Sequence, residues 1–218
     1  MTSRSFSSGR LRLSAISVLA ASVLVLSGCS NGEGPKNGSS DGTTSSASTT
    51  ATPSATATPT PKPVYKPADA KGKAQNVPVP VKPALADKNS KEGLEAFTKY
   101  WFSLLNYGFE TGNLTAWSKL SAPSCSFCNV LKNSVAVGYK EGRWQVGGRL
   151  STPSVESKFK PRAPTQQVIV QVIQEDTQYY KADKSVGRAP ADGSNTASVV
   201  IAAYSGGKWA VSDMHLIQ

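Results

Sequence analysis

The chain has 218 residues and a formal net charge of +10, with 24 basic against 14 acidic side chains. This length accommodates one folded domain with extensions. Beyond an N-terminal apolar run, no stretch is long enough to cross a membrane as a helix of ~20 residues. Neither a glycine-rich phosphate loop nor a Gly-x-Ser-x-Gly nucleophile turn is present. These observations exclude a polytopic membrane protein and the enzymes built on those two motifs.

The N-terminal residues 1–28 have the three parts of a secretory signal peptide. A basic start is followed by an apolar stretch over residues 13–26 and then by the small residues Ser27 and Gly28. Because Cys29 comes next, the sequence Leu-Ser-Gly-Cys resembles the lipobox of bacterial lipoproteins. The resemblance implies cleavage between Gly28 and Cys29 and a diacylglycerol thioether on Cys29, whose two acyl chains give a stable anchor.

The predicted processing determines the location and the partners that we expect. The lipid on Cys29 would hold the protein at the extracytoplasmic face of the cell membrane. Loss of three arginines and no acids with the signal would lower the net charge from +10 to +7. Anions in that compartment are lipid headgroups and wall polymers, so we expect the membrane, cell-wall polymers or an envelope protein as partners, and not nucleic acid. No motif indicates a cofactor.

Residues 29–87 are predicted to form a disordered tether. Ser, Thr, Gly, Ala, Pro and Lys dominate it, and it has almost no large apolar side chains whose burial could offset the entropy of ordering. Residues 31–50 are rich in Gly, Ser and Thr, whereas the prolines of residues 52–83 favour an extended polyproline conformation. Residues 77–81 are expected to lie along the folded domain as an edge segment.

The folded domain is expected over residues 88–218, and it begins with helices. A first helix is predicted to start at Asn89, which with Glu92 fits an N-cap and its N3 acid. Gly112 is predicted to end it in the left-handed conformation. The apolar side chains at helical spacing between these ends are typical of a core-facing stripe: Leu94, Phe97, Trp101, Leu104 and Leu105. A short second helix follows around Leu114, Trp117 and Leu120.

A third helix is predicted over residues 125–140, with Ser124 as its cap and Glu141-Gly142 as its end. Pro123 cannot lie inside a helix, which places the start after it. The side chains expected to face the core are Val130, Leu131, Val135 and either Val137 or Tyr139.

From residue 143 onward the apolar period changes to two, which indicates strands. Strands are predicted over residues 144–155, with a bend at Gly147-Gly148, and over residues 166–178, a central strand covered on both faces. Residues 181–195 have no pattern and are predicted to be a surface loop. Residues 196–205 and 208–216 are predicted to form a hairpin around Gly206-Gly207. The fold class is therefore α+β, with N-terminal helices packed on an antiparallel sheet of about four strands.

This order of elements resembles the NTF2-like cone. The lipobox and tether combine with four segments that are similar to an actinobacterial lipoprotein family, domain of unknown function 6318: residues 96–101 (AFTKYW), 110–120, 122–128 (APSCSFC) and 206–211 (GGKWAV). The resemblance covers residues 88–218. That family carries no assigned activity, so the resemblance implies a fold and a location but no reaction.

Cys125 and Cys128 form the sharpest chemical motif, a Cys-x-x-Cys sequence at the predicted start of the third helix. In an oxidising compartment a structural disulfide is expected. A redox-active pair is the alternative, because the helix dipole would favour the thiolate of an exposed Cys125. A metal site is less favoured, since two thiols alone hold zinc poorly and His215 is the single histidine of the chain.

Asp213 and His215 lie two residues apart on the last predicted strand, so they share one face. In a cone fold such a pair could line the pocket and perform acid/base chemistry. A surface-facing polar pair is the expected alternative. The four tryptophans are expected in the core rather than in a ligand cage: Trp101, Trp117, Trp144 and Trp209.

Because no catalytic set is evident, the leading functional hypothesis is a non-catalytic binding or interaction domain displayed in the cell envelope. Its ligand would be a wall polymer, a small apolar molecule or a protein, and the mouth of the cone could form an apolar pocket. The alternative is an enzyme, either a cone-pocket isomerase or hydratase or a thiol-disulfide oxidoreductase. A purely structural wall spacer is the third hypothesis.

Overall fold

The computed structural model describes residues 63–217. The predicted signal peptide, its cleavage site between Gly28 and Cys29, and residues 29–62 of the predicted tether lie outside this range. Within it, no helix is both long and apolar enough to cross a membrane. The fold is an α+β layer structure, in which helices pack on an antiparallel sheet, so the predicted class is confirmed.

Three α-helices come first: α1 (Lys91–Thr111), α2 (Thr115–Ser118) and α3 (Ser126–Tyr139). Ser90, and not Asn89, is the N-cap of α1, because the Ser90 hydroxyl accepts a hydrogen bond from the Gly93 N–H at 3.1 Å. Gly112 ends α1 with a φ of 76°, as predicted. The N-cap of α3 is Cys125 rather than Ser124, since the Cys125 sulfur accepts from the Cys128 N–H.

The core-facing side of α3 is narrower than predicted. Val135 is buried, and Leu131 and Tyr139 pack against the core. In contrast, Val130 is 66% exposed, so its predicted core position is wrong. Of the two alternatives Val137 and Tyr139, Tyr139 is the one that packs against the core, because Val137 is 58% exposed. The helix lies on the edge of the domain and contacts the core along a single narrow stripe. A 3-10 turn over Lys140–Gly142 ends it, in agreement with the predicted end at Glu141-Gly142.

Eight strands follow the helices and form two antiparallel sheets. The smaller sheet has the order β1-β5-β6, built from β1 (Trp144–Gly147), β5 (Thr177–Tyr180) and β6 (Val186–Ala191). The five-stranded sheet has the order β2-β4-β7-β8, and a further strand, β3, also pairs with β4. Its members are β2 (Leu150–Ser151), β3 (Val155–Ser157), β4 (Gln166–Gln174), β7 (Ser194–Ser205) and β8 (Lys208–Ile217).

Two of the predicted strands are divided in the structure. Gly147 and Gly148 both have a positive φ, which ends β1 and separates it from β2 and β3. The strand predicted over residues 166–178 breaks after Gln174, and its second half joins the smaller sheet. As predicted, β4 is central, but only its inner face is fully buried; Ile169 and Ile173 on its outer face are half-buried.

The prediction of an irregular loop over residues 181–195 is also wrong, although the predicted surface exposure of these residues is correct. Strand β6 and the start of β7 lie there, and every residue of β6 is exposed. Because neither face of β6 is buried, its sequence has no alternation of apolar and polar residues. The hairpin predicted around Gly206-Gly207 is confirmed, with φ values of 57° and 78° that suit a tight two-residue turn.

The structure also shortens the predicted tether. Residues 63–88, here called the strap, form an antiparallel bridge between Lys66 and Gln75 and a 3-10 turn over Ala84–Asp87. Ala86 is 1% exposed. The prediction of disorder up to residue 87 is therefore wrong for residues 63–87.

As expected, residues 77–81 lie along the folded domain. Val77, Pro78 and Pro80 share a recess with Asn106 and Tyr107 of α1.

The main core lies between α1 and the inner face of the five-stranded sheet. Trp101, Trp117 and Trp209 are at most 1% exposed there, as expected for core side chains. Trp144 is 3% exposed and stacks on Tyr180 in the smaller sheet. Each such large aromatic side chain removes a large apolar area from water, which stabilises the fold.

Candidate ligand-binding cavity

A cavity of about 200 Å³ lies between the helices and the five-stranded sheet. Its roof consists of side chains at helical spacing on two helices: Phe102, Leu105 and Phe109 from α1, and Phe127 and Leu131 from α3. Its floor consists of inward-facing residues of neighbouring strands: Leu150, Val172, Gln174, Ser194, Thr196, Ser198, Met214 and Leu216. The apolar pocket considered for this domain is therefore present, between the helices and the five-stranded sheet.

A row of hydroxyl groups crosses the floor. Ser194, Thr196 and Ser198 occupy alternate positions of β7, so their side chains point to the same face of the sheet. Burial increases along the row: Ser194 is exposed, Thr196 is half-buried and Ser198 is fully buried. The row therefore runs from the mouth of the cavity to its deep end.

The hydroxyl at the deep end has no hydrogen-bond partner. Ser198 Oγ is buried and makes no hydrogen bond to any described residue, whereas most buried hydroxyl groups in proteins are paired. Its neighbours across the strands are Val170 and Leu216, neither of which offers a side-chain acceptor. Leaving such a group unpaired costs about 1–3 kcal/mol, a cost that a bound ligand could remove.

None of the thirteen residues that line the cavity has an ionisable side chain. Tyr139, a titratable group outside the lining, donates its hydroxyl hydrogen bond to the carbonyl of Phe109 on the cavity roof. Burial raises the pKa of Tyr139, so this hydroxyl stays protonated and holds α3 against α1. The lining offers shape, apolar surface and hydroxyl groups, but no acid or base.

Asp213 and His215 share one face of β8, as predicted, and their side chains meet at 3.2 Å between Asp213 Oδ2 and His215 Nε2. They do not line the cavity. Met214 and Leu216 face it, so strand alternation directs Asp213 and His215 to the opposite face of the sheet. The pocket role considered for this pair is therefore wrong, and its expected alternative, a surface polar pair, matches the structure.

Cys125 and Cys128 form a disulfide with an S–S distance of 2.05 Å. Both residues are buried, at 0% and 3% exposure. The redox alternative assumed an exposed Cys125, and the structure places its sulfur inside the core, where it also caps α3. Burial of both sulfurs favours a structural role over thiol exchange. Among the described residues, no cluster of three or more His, Cys, Asp and Glu side chains could hold a metal ion.

The hydroxyl row was not identified from the sequence, although a signal was present. Ser194, Thr196 and Ser198 alternate with Asn195, Ala197 and Val199, in phase with the buried residues Val200 and Ala202 farther along β7. Polar side chains on the buried face of a strand indicate a cavity or a buried network. The missing partner of Ser198 could not be read from the sequence, because it depends on neighbouring strands.

Several solved structures resemble the fold at low sequence identity. The intermembrane space region of the chloroplast protein ARC6 matches with 7% identity and a TM-score of 0.44, over 59% of this chain and 96% of that one. A protein from Exiguobacterium sibiricum assigned as a calcium/calmodulin-dependent kinase II association domain matches with 16% identity and a TM-score of 0.41, over 59% of this chain and 94% of that one. A Caulobacter vibrioides protein with a cystatin-like fold matches with 13% identity and a TM-score of 0.39, over 58% of this chain and 91% of that one.

No curated protein matches the chain. A family model does match, and it spans residues 50–215, which include the strap, the disulfide and every cavity-lining residue except Leu216. The match also extends N-terminal to residue 88, where we expected the resemblance to begin. The chain belongs to the family of unknown function DUF6318.

Proposed function

We propose that this protein is a lipid-anchored, extracytoplasmic binding domain, and that its cavity holds a small, largely apolar molecule with one hydrogen-bonding group. The unpaired hydroxyl of Ser198 at the deep end of the apolar cavity carries the proposal. An empty cavity of this kind is costly twice, through lost packing and through the unpaired hydroxyl. A ligand with an apolar body and a hydroxyl or carbonyl group would remove both costs.

The size of the cavity limits the ligand. An apolar protein cavity of ~150 Å³ accommodates benzene, and the cavity here is somewhat larger, at about 200 Å³. A single ring or a short chain with one polar atom fits this volume. Because Leu216 at the mouth is 54% exposed, a longer chain could extend past it to the surface.

The lining supports binding rather than turnover. Isomerases and hydratases need a group that moves a proton at the reacting atom, and the lining residues supply hydroxyl and amide groups alone. A thiol-disulfide oxidoreductase needs an accessible sulfur, and both sulfurs of the Cys125–Cys128 bond are buried.

The ligand can be tested with a matched pair of probes, toluene and benzyl alcohol, which share a ring and a methyl carbon and differ by one hydroxyl group. Binding is measured by calorimetry. We expect benzyl alcohol to bind more tightly than toluene, and Ser198→Ala to weaken benzyl alcohol about three- to tenfold while leaving toluene unchanged, because one hydrogen bond is lost. Failure of both probes to bind, or an equal effect of the variant on both, would contradict the proposal.

Ser157 provides a matched control for that variant. Its hydroxyl is also buried without a partner, but it lies on β3, outside the cavity lining. Ser157→Ala should therefore leave the affinity of both probes unchanged. Native mass spectrometry of protein purified from its own host would detect a natural ligand that stays bound. A retained mass of a few hundred daltons that the Ser198→Ala variant loses would support ligand binding in the cavity.

The anchor is tested separately at Cys29. Cys29→Ala removes the only sulfur of the lipobox, so the protein should move from the membrane fraction to the soluble fraction. Retention of the Cys29→Ala protein in washed membranes would contradict lipidation at this residue and leave the cavity proposal intact.

A further inference from the structure

A second site lies on the other side of α3, between α2 and α3. Two adjoining recesses of about 460 and 190 Å³ share Ser118 and Lys132 as lining residues, and together they form a groove. Leu114 and Val135 line one part of the groove, and Trp117 and Cys128 line the other. Neither lining contains an acidic residue.

Trp117 provides a hydrogen-bond donor without an acceptor. The other three indole N–H groups donate to oxygen atoms: Trp101 to Ser121 Oγ, Trp144 to the Asp69 carbonyl and Trp209 to the Lys88 carbonyl. Trp117 is 1% exposed, and its Nε1 has no partner among the described residues. Buried indole N–H groups normally find an acceptor, so the unpaired Nε1 of this lining residue is a donor that the described residues leave unused.

The polar groups around Trp117 are already used. Ser121 Oγ accepts from Trp101 and donates to the Trp117 carbonyl at 3.1 Å. The Asn129 side-chain amide donates to the Pro123 carbonyl at 2.9 Å. The donors that remain in the groove are the Trp117 indole, the exposed lysines and the hydroxyl groups of Ser118 and Thr115, which favours a ligand that accepts hydrogen bonds and carries negative charge.

Two lysines give the groove its charge. Lys132 lines both recesses, Lys119 lines the larger one, and neither has a carboxylate within 4.0 Å in the described part of the chain. Lysine binds phosphate as a point charge, without the planar fork that arginine offers to a carboxylate. No arginine lines the groove.

We propose that the α2–α3 groove binds a phosphate group, either free or within a phosphodiester, with one phosphate oxygen accepting the hydrogen bond of Trp117 Nε1 and Lys132 neutralising the charge. The apolar floor beside it, formed by Leu114 and Val135, suits the carbon chain to which a phosphodiester is attached. This site is separate from the cavity and does not depend on it.

The test follows the four tryptophan indole N–H signals by NMR in the full chain, labelled with 15N-tryptophan and held in a nonionic detergent. Inorganic phosphate and dimethyl phosphate are titrated at constant ionic strength. We expect the Trp117 signal alone to shift with saturation, at a midpoint of ~1–10 mM, which is typical of a small fragment. Tighter binding of phosphate would indicate a free anion, and tighter binding of dimethyl phosphate a phosphodiester; either outcome supports the groove.

Three variants complete the experiment. Trp117→Phe keeps an aromatic ring but removes the indole N–H, so the signal that disappears is assigned to Trp117. Lys132→Gln should weaken binding three- to tenfold. Lys158→Gln, an exposed lysine outside the groove, is the matched control and should leave the midpoint unchanged. The proposal is overturned if no probe moves the Trp117 signal, if all four signals move together, or if Lys132→Gln and Lys158→Gln behave alike.

Discussion

The strap and the five-stranded sheet are held in place by different forces. Val168, Val170 and Val200 of the sheet are completely buried, so the removal of apolar surface from water holds the sheet together. The strap buries a single hydrophobic residue, Ala86, while Val64 and Val81 are more than 80% exposed. Hydrogen bonds from the body of the domain to the carbonyl groups of the strap replace apolar packing.

Three aromatic side chains donate those hydrogen bonds, each at 2.9 Å: Trp144 to Asp69, Tyr204 to Asp87 and Trp209 to Lys88. The donors are side chains whose rings are anchored in the core and whose polar ends require an acceptor. In these three hydrogen bonds the strap supplies only backbone carbonyl groups, which every sequence has. A segment that buries almost no apolar side chains can therefore be ordered when the rest of the chain presents buried donors to it.

The largest loss of stability is expected from a substitution at Gly93, near the start of α1, where the strap meets this helix. A Cβ atom at Gly93 would lie 2.0 Å from the carbonyl oxygen of Lys88, a backbone atom that cannot rotate away. Gly93→Ala should therefore displace the end of the strap and lower the free energy of unfolding by about 3 kcal/mol. Denaturant unfolding measures the change.

Gly138 is the matched control for that substitution. It also lies in a helix, but a Cβ atom there meets nothing within 4 Å. Gly138→Ala should raise the free energy of unfolding by about 0.5–1 kcal/mol, because alanine favours the helix. If both variants lose stability equally, the close contact between Gly93 and Lys88 is not the cause.

The next largest effect separates the sheet from the strap. Val200 is completely buried on β7, so Val200→Ala should cost about 2 kcal/mol through lost transfer energy and a residual cavity. Val200 takes no part in the hydrogen bonds that hold the carbonyl groups of Asp87 and Lys88. The strap should therefore stay bound in the folded state. Trypsin cleavage after Lys71 and Lys73 reports release of the strap, and under native conditions it should not change.

Trp144→Phe tests the opposite case. The variant keeps an aromatic ring against Tyr180 but removes the donor to the Asp69 carbonyl. We expect a loss of about 1 kcal/mol, in the range of a single hydrogen bond. Trypsin cleavage after Lys71 and Lys73 should become several times faster in the native state. Unchanged cleavage would mean that the Asp69 contact does not hold the strap.

The sequence was informative wherever an apolar period existed. The stripe of α1, the cap at Gly112 and the β7–β8 hairpin all follow from local pattern and were predicted correctly. The pattern was silent for β6, since neither face of that strand is buried. Local pattern therefore predicts an element only when burial selects one of its faces.

The strap and the candidate sites required contacts between distant parts of the chain. Trp144 and Asp69 are 75 residues apart, and Trp209 and Lys88 are 121 apart. Composition alone predicted disorder because it counts apolar side chains and not backbone carbonyls. In the same way, the unpaired states of Ser198 and Trp117 depend on which neighbours the fold leaves out, and no local pattern records that.

The smallest effect concerns a polar contact within the body of the domain. Glu95 on α1 accepts hydrogen bonds from the Lys91 ammonium group and from the Ser157 N–H on β3. Although burial acts to raise the pKa of Glu95, these two hydrogen bonds outweigh it and hold the pKa below its ordinary value of 4.5. The ionised carboxylate therefore stabilises the fold above about pH 4.5, and this contribution is lost as the pH falls through the lower folded pKa.

Glu95→Gln should cost less than about 1 kcal/mol at neutral pH, since the contact is partly open to solvent. The difference between parent and variant should shrink as the pH falls below the ordinary value of 4.5, because the parent then loses the same charge. Thermal unfolding across this range measures it, with trypsin cleavage of the strap at neutral pH as the second readout. Parallel pH profiles would show that Glu95 does not link α1 to β3. A faster cleavage of the strap would show that the two regions are coupled through α1.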